Sequence, residues 1–224
     1  MVYLIETSRK TRDLDFSIKQ LGNQVNDLEQ LIQAILDIPL DDGVAWGKAR
    51  AEILNHPDLE EPGARITCPF YLGQMRGKVQ IDLALGDIVE PVKMTLPRMR
   101  YKNILLMGED FSILTYPAES IFAENLHIAL AKKEANSRMK DYYDLLKLSQ
   151  SLDNRIKLKN AIEATFHNRK LLVPKAISFD AAQMGSLQTR WAHFLTREKL
   201  IDAPGNIGEV IEALNVFLKP MGFK

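Results

Sequence analysis

The chain has 224 residues, 46% apolar and 26% charged, with 29 basic side chains balanced by 29 acidic ones. That length buries a sufficient core without disulfides or a structural metal, as one large domain or two small ones. A single cysteine, Cys68, excludes an intramolecular disulfide and a cysteine-based zinc site, and charge balance excludes a global pull toward nucleic acid or anionic membrane. Met1-Val2-Tyr3-Leu4-Ile5-Glu6 lacks the basic start and apolar length of a signal peptide, and no apolar run approaches the ~20 residues that span a bilayer. A globular, cytoplasmic protein with no membrane partner is expected.

Strands are predicted at 2–5, 13–17, 49–54, 64–71 and 78–85, each a short β-prone run bounded by turn formers. Residues 71–78 join the last two as a hairpin connection, with Gly73 and Gly77 near its ends. One helix interrupts this region, where Val25, Leu28, Leu31, Ile32, Ile35 and Leu36 recur at helical spacing before Pro39. The texture changes at Tyr116-Pro117. Beyond it, helical periodicity carries Ile121, Leu126, Ile128 and Leu130, then Tyr142, Leu145, Leu146 and Leu148, with further helices at 153–168, 188–196 and 207–218. Residues 1–116 hold 13 basic and 17 acidic side chains, and 117–224 hold 16 and 12. Strands first and helices afterwards predict an α+β chain in two domains, 1–116 and 117–224, rather than a doubly wound sheet.

Three groups of residues could carry chemistry. In Ser8-Arg9-Lys10-Thr11-Arg12-Asp13-Leu14-Asp15-Phe16, a strand would point Asp13 and Asp15 to one face and Leu14 and Phe16 to the other. Two carboxylates on one face suit a hard cation such as Mg²⁺, although an isolated Asp-x-Asp reads first as two solvated acids. Asp82 lies within the apolar run Val79-Gln80-Ile81-Asp82-Leu83-Ala84-Leu85, where an unpaired carboxylate is costly. It completes a three-carboxylate arrangement suited to phosphoryl chemistry, or pairs with an arginine such as Arg76 or Arg12. In the third group, Ser137 is a plausible N-cap, and Asp141 and Asp144 share a helix face beside Arg138 and Lys140. Capping and surface ion pairs would explain every residue of that group, and physical chemistry alone favours that reading.

Other signals are bland. The four histidines show no zinc-ligand spacing, and no Walker loop, nucleophile elbow or GxGxxG occurs. Cys68 reads as a buried thiol. Arg155, Lys157, Lys159, Arg169, Lys170 and Lys175 read as a solvated helix face or an RNA contact.

In order, Arg9-Lys10-Thr11-Arg12-Asp13-Leu14-Asp15-Phe16, Gln80-Ile81-Asp82-Leu83 with Gly86-Asp87, Tyr116-Pro117 with Glu119, Ala123-Glu124, and Ser137-Arg138-Met139-Lys140-Asp141-Tyr142-Tyr143-Asp144-Leu145 resemble the AbiEii/AbiGii-type nucleotidyltransferase toxin family of type IV toxin–antitoxin and abortive-infection systems. Ala161-Ile162-Glu163-Ala164-Thr165-Phe166 and Trp191-Ala192-His193-Phe194-Leu195 extend the similarity over nearly the whole chain. The resemblance implies a nucleotidyltransferase-fold mixed sheet flanked by helices, followed by a helical C-terminal domain. It also implies Mg²⁺-dependent transfer of a nucleotide from an NTP, to RNA or the tRNA 3′ end, and a cognate antitoxin. Asp13, Asp15 and Asp82 would hold metal, and Arg9, Thr11 and the position of Asn125 would serve the nucleotide. Asp82, Arg138, Lys140, Asp141 and Asp144 would serve catalysis.

Two positions depart from the family pattern. Members carry a glycine pair ahead of the first metal aspartate, whose backbone N–H groups cradle the triphosphate. Here twelve residues precede Asp13 and none is glycine, so either the chain begins late or the site has decayed. Asn125 stands where the family's Ala-Glu-Lys-Leu helix has lysine, replacing a phosphate-directed cation with a dipole. The alternative function is therefore a catalytically compromised relative that acts by binding a partner.

Overall fold

The structure is a computed structural model that describes residues 14–18, 25–54, 63–85, 90–96, 100–101, 104–105, 110–132 and 138–222. Two compact units arise, Thr11–Ile88 and a second that holds the described residues from Glu90 onward.

Among its described residues, the first unit is a five-stranded mixed sheet with one helix. In chain order it contains β1 (Leu14–Ile18), α1 (Val25–Leu36), β2 (Val44–Trp46), β3 (Arg50–Leu54), β4 (Gly63–Leu72) and β5 (Met75–Leu85). The order is β1-β5-β4-β2, with β3 also paired to β4; β1 runs parallel to β5, and every other pairing is antiparallel. Trp46 pairs with Phe70 and Arg50 with Thr67, so β2 and β3 form one edge with an extra residue between them, a β-bulge.

Alternation along the strands sorts the faces. Ala51 and Ile53, Ala64, Ile66 and Cys68, and Val79, Ile81 and Leu83 pack with Leu28, Ile32 and Leu36 of α1. Burial pushes the Cys68 thiol up from its ordinary value, in keeping with an inert packing role. α1 also closes the outer edge: the backbone N–H groups of Ala49 and Ala51 donate to Gln33 Oε1 and Glu29 Oε1, each at 2.8 Å. Side chains one helical turn apart thus occupy donors that would otherwise offer a pairing edge.

The hairpin joining β4 to β5 is tighter than the 71–78 connection expected from sequence. Leu72 pairs with Met75, and Gly73-Gln74 forms a two-residue loop with Gly73 at φ +59°. Gly77 lies within β5 opposite Phe70, whose ring would meet an added Cβ at 2.5 Å. The glycine is there to admit the ring.

The second unit begins with β6 (Val92–Leu96), β7 (Arg100–Tyr101), β8 (Ile104–Leu105) and β9 (Phe111–Thr115), paired β6 with β9 and β7 with β8. Sequence periodicity did not signal these short strands. The change of texture at Tyr116-Pro117 falls between β9 and α2 (Ala118–Lys132). Then come α3 (Met139–Ser151), α4 (Arg155–Asn168), α5 (Ala181–Glu198), α6 (Ile207–Leu218) and a final 3₁₀ turn. Their core centres on Phe122, Tyr142, Tyr143, Leu145, Phe166 and Trp191. α5 starts well before the expected 188, because Asp180 and Gln183 form a reciprocal capping box. No described helix is long and apolar enough to cross a membrane.

The link between α5 and α6 is tied to α3 through Asp202. Tyr143 Oη and Lys147 Nζ each donate to Asp202 Oδ2 at 2.9 Å, and Lys147 Nζ also donates to the Asp202 carbonyl. Burial raises the Asp202 carboxyl, but hydrogen bonds from Lys147 and Tyr143 and the lysine charge outweigh it, and the group sits below its ordinary value. A depressed carboxylate stabilises the fold above its unfolded-state pKa and loses that contribution as pH falls through the folded value. Asp202→Asn should therefore lower the urea midpoint at about pH 7. The gap to the native chain should close as pH falls below the ordinary aspartate range and on through the lower folded value, beyond which both chains carry a neutral group.

Candidate active site

On the sheet face opposite α1, β5 presents Arg76, Lys78, Gln80 and Asp82, β4 presents Arg65 and Thr67, and β3 presents Arg50 and Glu52. The parallel register places Asp15 beside Asp82, while Arg65 pairs with Asp82 and Glu52 with Arg65. One row across four strands therefore reads Asp15, Asp82, Arg65, Glu52. The strand spacing of about 4.8 Å brings the two aspartates within reach of a shared ligand. Asp15 is exposed, and the Asp82 side chain retains 24% of its accessible surface.

Asp82 is held by Arg65 in a two-point fork. Arg65 Nε donates to Oδ1 and Nη2 to Oδ2, both at 2.7 Å. The sequence pointed to Arg76 or Arg12 for an arginine partner. Arg76 is on the same strand but six residues away, and Arg12 lies outside the described residues. Arg65 is selected because antiparallel register sets it directly across from Asp82. Its signal in the sequence was a charged residue in the polar phase of the alternation Ala64, Ile66, Cys68.

The donor chemistry of this row fits a hard divalent cation. Mg²⁺ is commonly held by one or two carboxylates plus substrate phosphate oxygens, and Asp15 and Asp82 can supply the carboxylates from adjacent strands. No cluster of three or more histidine, cysteine or acidic residues able to hold a metal occurs among the described residues. Asp13, Arg9 and Thr11 lie outside them.

The remaining candidates are in the helical unit. Asn125 is half-buried on α2, one residue from the core position Leu126. Arg138 occupies the N-cap position of α3 and makes no side-chain cap hydrogen bond; Ser137, the expected cap, lies outside the described residues. Asp141 is fully buried, with Arg138 Nε 3.3 Å from its Oδ2. Asp144 is also buried, whereas Arg138 and Lys140 reach solvent. The face that the sequence read as surface ion pairs is therefore an acid pair set into a core, with its cations at the rim. Of the basic stretch, Arg155 lies over the Phe217 ring, 3.8 Å from its centroid, and Lys159 pairs with Glu163 at 3.9 Å.

A family model described as nucleotidyl transferase AbiEii toxin, type IV toxin–antitoxin system, matches residues 1–206. The chain belongs to the AbiEii family. AbiEii proteins are nucleotidyltransferases by that description. Among solved structures, JHP933 from Helicobacter pylori matches at TM-score 0.52 and 12% identity, over 99% of this chain and 80% of that one. A second H. pylori protein, titled as a candidate nucleotidyltransferase, matches at TM-score 0.50 and 13% identity, over 96% of this chain and 79% of that one. Both likenesses support the mixed α+β nucleotidyltransferase fold. No curated protein matches the sequence.

The Arg138–Asp141 contact of this AbiEii chain can be weighed by mutation. Arg138→Met withdraws a cation from a carboxylate with no access to water, and should lower unfolding stability by about 1–3 kcal/mol. Adding Asp141→Asn should recover part of the loss, because the buried group is then neutral. Urea titration of the two single variants and the double variant gives the coupling directly.

Proposed function

We propose that the Asp15–Asp82 face is the metal and nucleotide site of a Mg²⁺-dependent nucleotidyltransferase that transfers a nucleotide from an NTP to RNA. The observation that carries this reading is the parallel register setting Asp15 against Asp82 on an accessible face. Membership of the AbiEii family supports it.

In the reaction, an acceptor hydroxyl oxygen bonds to the α-phosphorus while the bond to the β-phosphate bridging oxygen breaks. Pyrophosphate leaves and the hydroxyl proton passes to a base. Bound Mg²⁺ would offset the charge that builds on the phosphate oxygens. Asp15 and Asp82, with Asp13 preceding them in sequence, are assigned to hold it. One oxygen of Asp82 is assigned the proton. Arg9, Thr11 and Asn125 are assigned to the nucleotide. Arg138, Lys140, Asp141 and Asp144 are assigned to the motif that serves the nucleotide, with Asp141 or Asp144 assisting as a polar or basic group.

An RNA acceptor is supported by the rest of the same sheet face. Arg50, Lys78 and Arg76 are exposed there and make no ion pair with any described residue, and Tyr71 pairs with Arg76 on this face. At ~3.3 Å per residue, Lys78 lies roughly 13 Å and Arg76 roughly 20 Å along β5 from Asp82. Those distances suit a polymer leading away from the carboxylates better than the triphosphate itself. Spaced cations with an aromatic ring match the recognition of single-stranded nucleic acid. A cognate antitoxin is the protein partner that a type IV system implies, and the cytoplasm, where NTP and RNA occur together, is the proposed location.

A second reading, binding without catalysis, is favoured by one observation: both oxygens of Asp82 already accept from Arg65. Asp15→Asn separates the two. Under the catalytic reading, this change should remove label transfer from α-labelled NTP to RNA and weaken Mg²⁺–NTP binding in calorimetry, with the circular dichroism spectrum intact. Native protein that neither binds Mg²⁺–NTP nor transfers label would establish the second reading.

The acceptor path has its own test. Replacing Arg76 and Lys78 with glutamine should weaken RNA binding at low salt and reduce the slope of log affinity against log salt by about 1 to 2. Calorimetric affinity for Mg²⁺–NTP should not change. An unaltered salt slope would place the acceptor elsewhere.

A further inference from the structure

The fork between Arg65 and Asp82 does more than pair two charges. It engages both carboxylate oxygens at 2.7 Å, which fixes the plane of the group as well as its position. The fork takes one acceptor direction on each oxygen. Bidentate chelation of a cation would then require Asp82 to turn away from Arg65, whereas single-point coordination would not. The guanidinium is also the positive charge nearest to Asp82 along the row, with Asp15 on the other side. It offsets the repulsion between the two acids when no cation lies there, and opposes a divalent cation when one arrives.

We propose that Arg65 is a positioning residue for the carboxylate site: its guanidinium fixes the plane of Asp82 and sets how tightly the site holds a divalent cation. This rests on the reading of Asp15 and Asp82 as cation ligands. The two properties separate by substitution. Lysine keeps the charge but replaces a planar fork with a single ammonium, and methionine removes both. Arg65 also differs from a ligand in the sign of its effect, since losing a ligand weakens cation binding while losing a competing charge strengthens it.

The experiment is an electron paramagnetic resonance titration with Mn²⁺, alongside transfer of label from α-labelled NTP to RNA. It compares the native chain with Arg65→Lys, Arg65→Met, Asp82→Asn and Asp15→Asn. Asp15→Asn and Asp82→Asn should weaken Mn²⁺ binding; if neither does, the cation-site reading fails independently of Arg65. Given that both do, Arg65→Met should bind Mn²⁺ about threefold tighter or more. Arg65→Lys should hold Mn²⁺ about as well as the native chain and melt at the same temperature. Its kcat should nevertheless fall about 10- to 100-fold at unchanged KM for NTP. Mn²⁺ affinity in Arg65→Met that is unchanged or weaker, or kcat in Arg65→Lys within about twofold of native, would overturn the proposal. Circular dichroism identifies loss of fold in Arg65→Met, in which case Arg65→Gln replaces it for the affinity measurement.

Discussion

The pairing of β5 on both sides at once is the constraint from which the sheet unit follows. Its odd positions, Val79, Ile81 and Leu83, are drawn under α1 by the apolar core. Its even positions must therefore face the other way, whatever their chemistry. Asp82 is on the open face because its neighbours belong inside, and parallel pairing with β1 and antiparallel pairing with β4 supply its two flanking charges. The hydrophobic pattern that stabilises the sheet also assembles the acid row. No separate device is needed to bring Asp15 and Asp82 together.

Much of this was legible in the sequence, for identifiable reasons. α1 was readable from the spacing of Leu28, Ile32 and Leu36, and β4 and β5 from long apolar alternation. α6 was readable because its apolar stripe and punctuation agree. Pairing was not readable. The arginine that holds Asp82 is 17 residues away in sequence and becomes its neighbour only through hairpin register. The strands β6 to β9 were missed because runs of two to five residues carry too little periodicity to stand out from loops. The true start of α5 was hidden because its first turns, Ala181 to Gly185, have no strong apolar stripe; the capping box defines it instead.

The helical unit shows a different relation between charge and burial. In α3, Asp141 and Asp144 share the interior with Tyr142, Tyr143, Leu145 and Leu146. Surface residues at that spacing would have looked the same in the sequence, since an i, i+3 acid pair beside basic residues fits a solvated face. What distinguishes the two is that apolar residues surround α3 on several sides, so its acids had to be buried with compensation. Arg138 at the helix start provides that compensation for Asp141.

The hairpin turn has a consequence for the acid row that its distance conceals. Slipping β4 by one residue against β5 would set Asp82 opposite an apolar neighbour and move Arg65 out of reach, because side-chain direction alternates with every step. The Gly73-Gln74 loop and the seat of the Phe70 ring on Gly77 forbid that slip from the far end of the ribbon. The alignment of charges at one end is thus enforced by a steric lock at the other. A bulky side chain at Gly77 would act as an alignment error, felt at Asp82 without touching it.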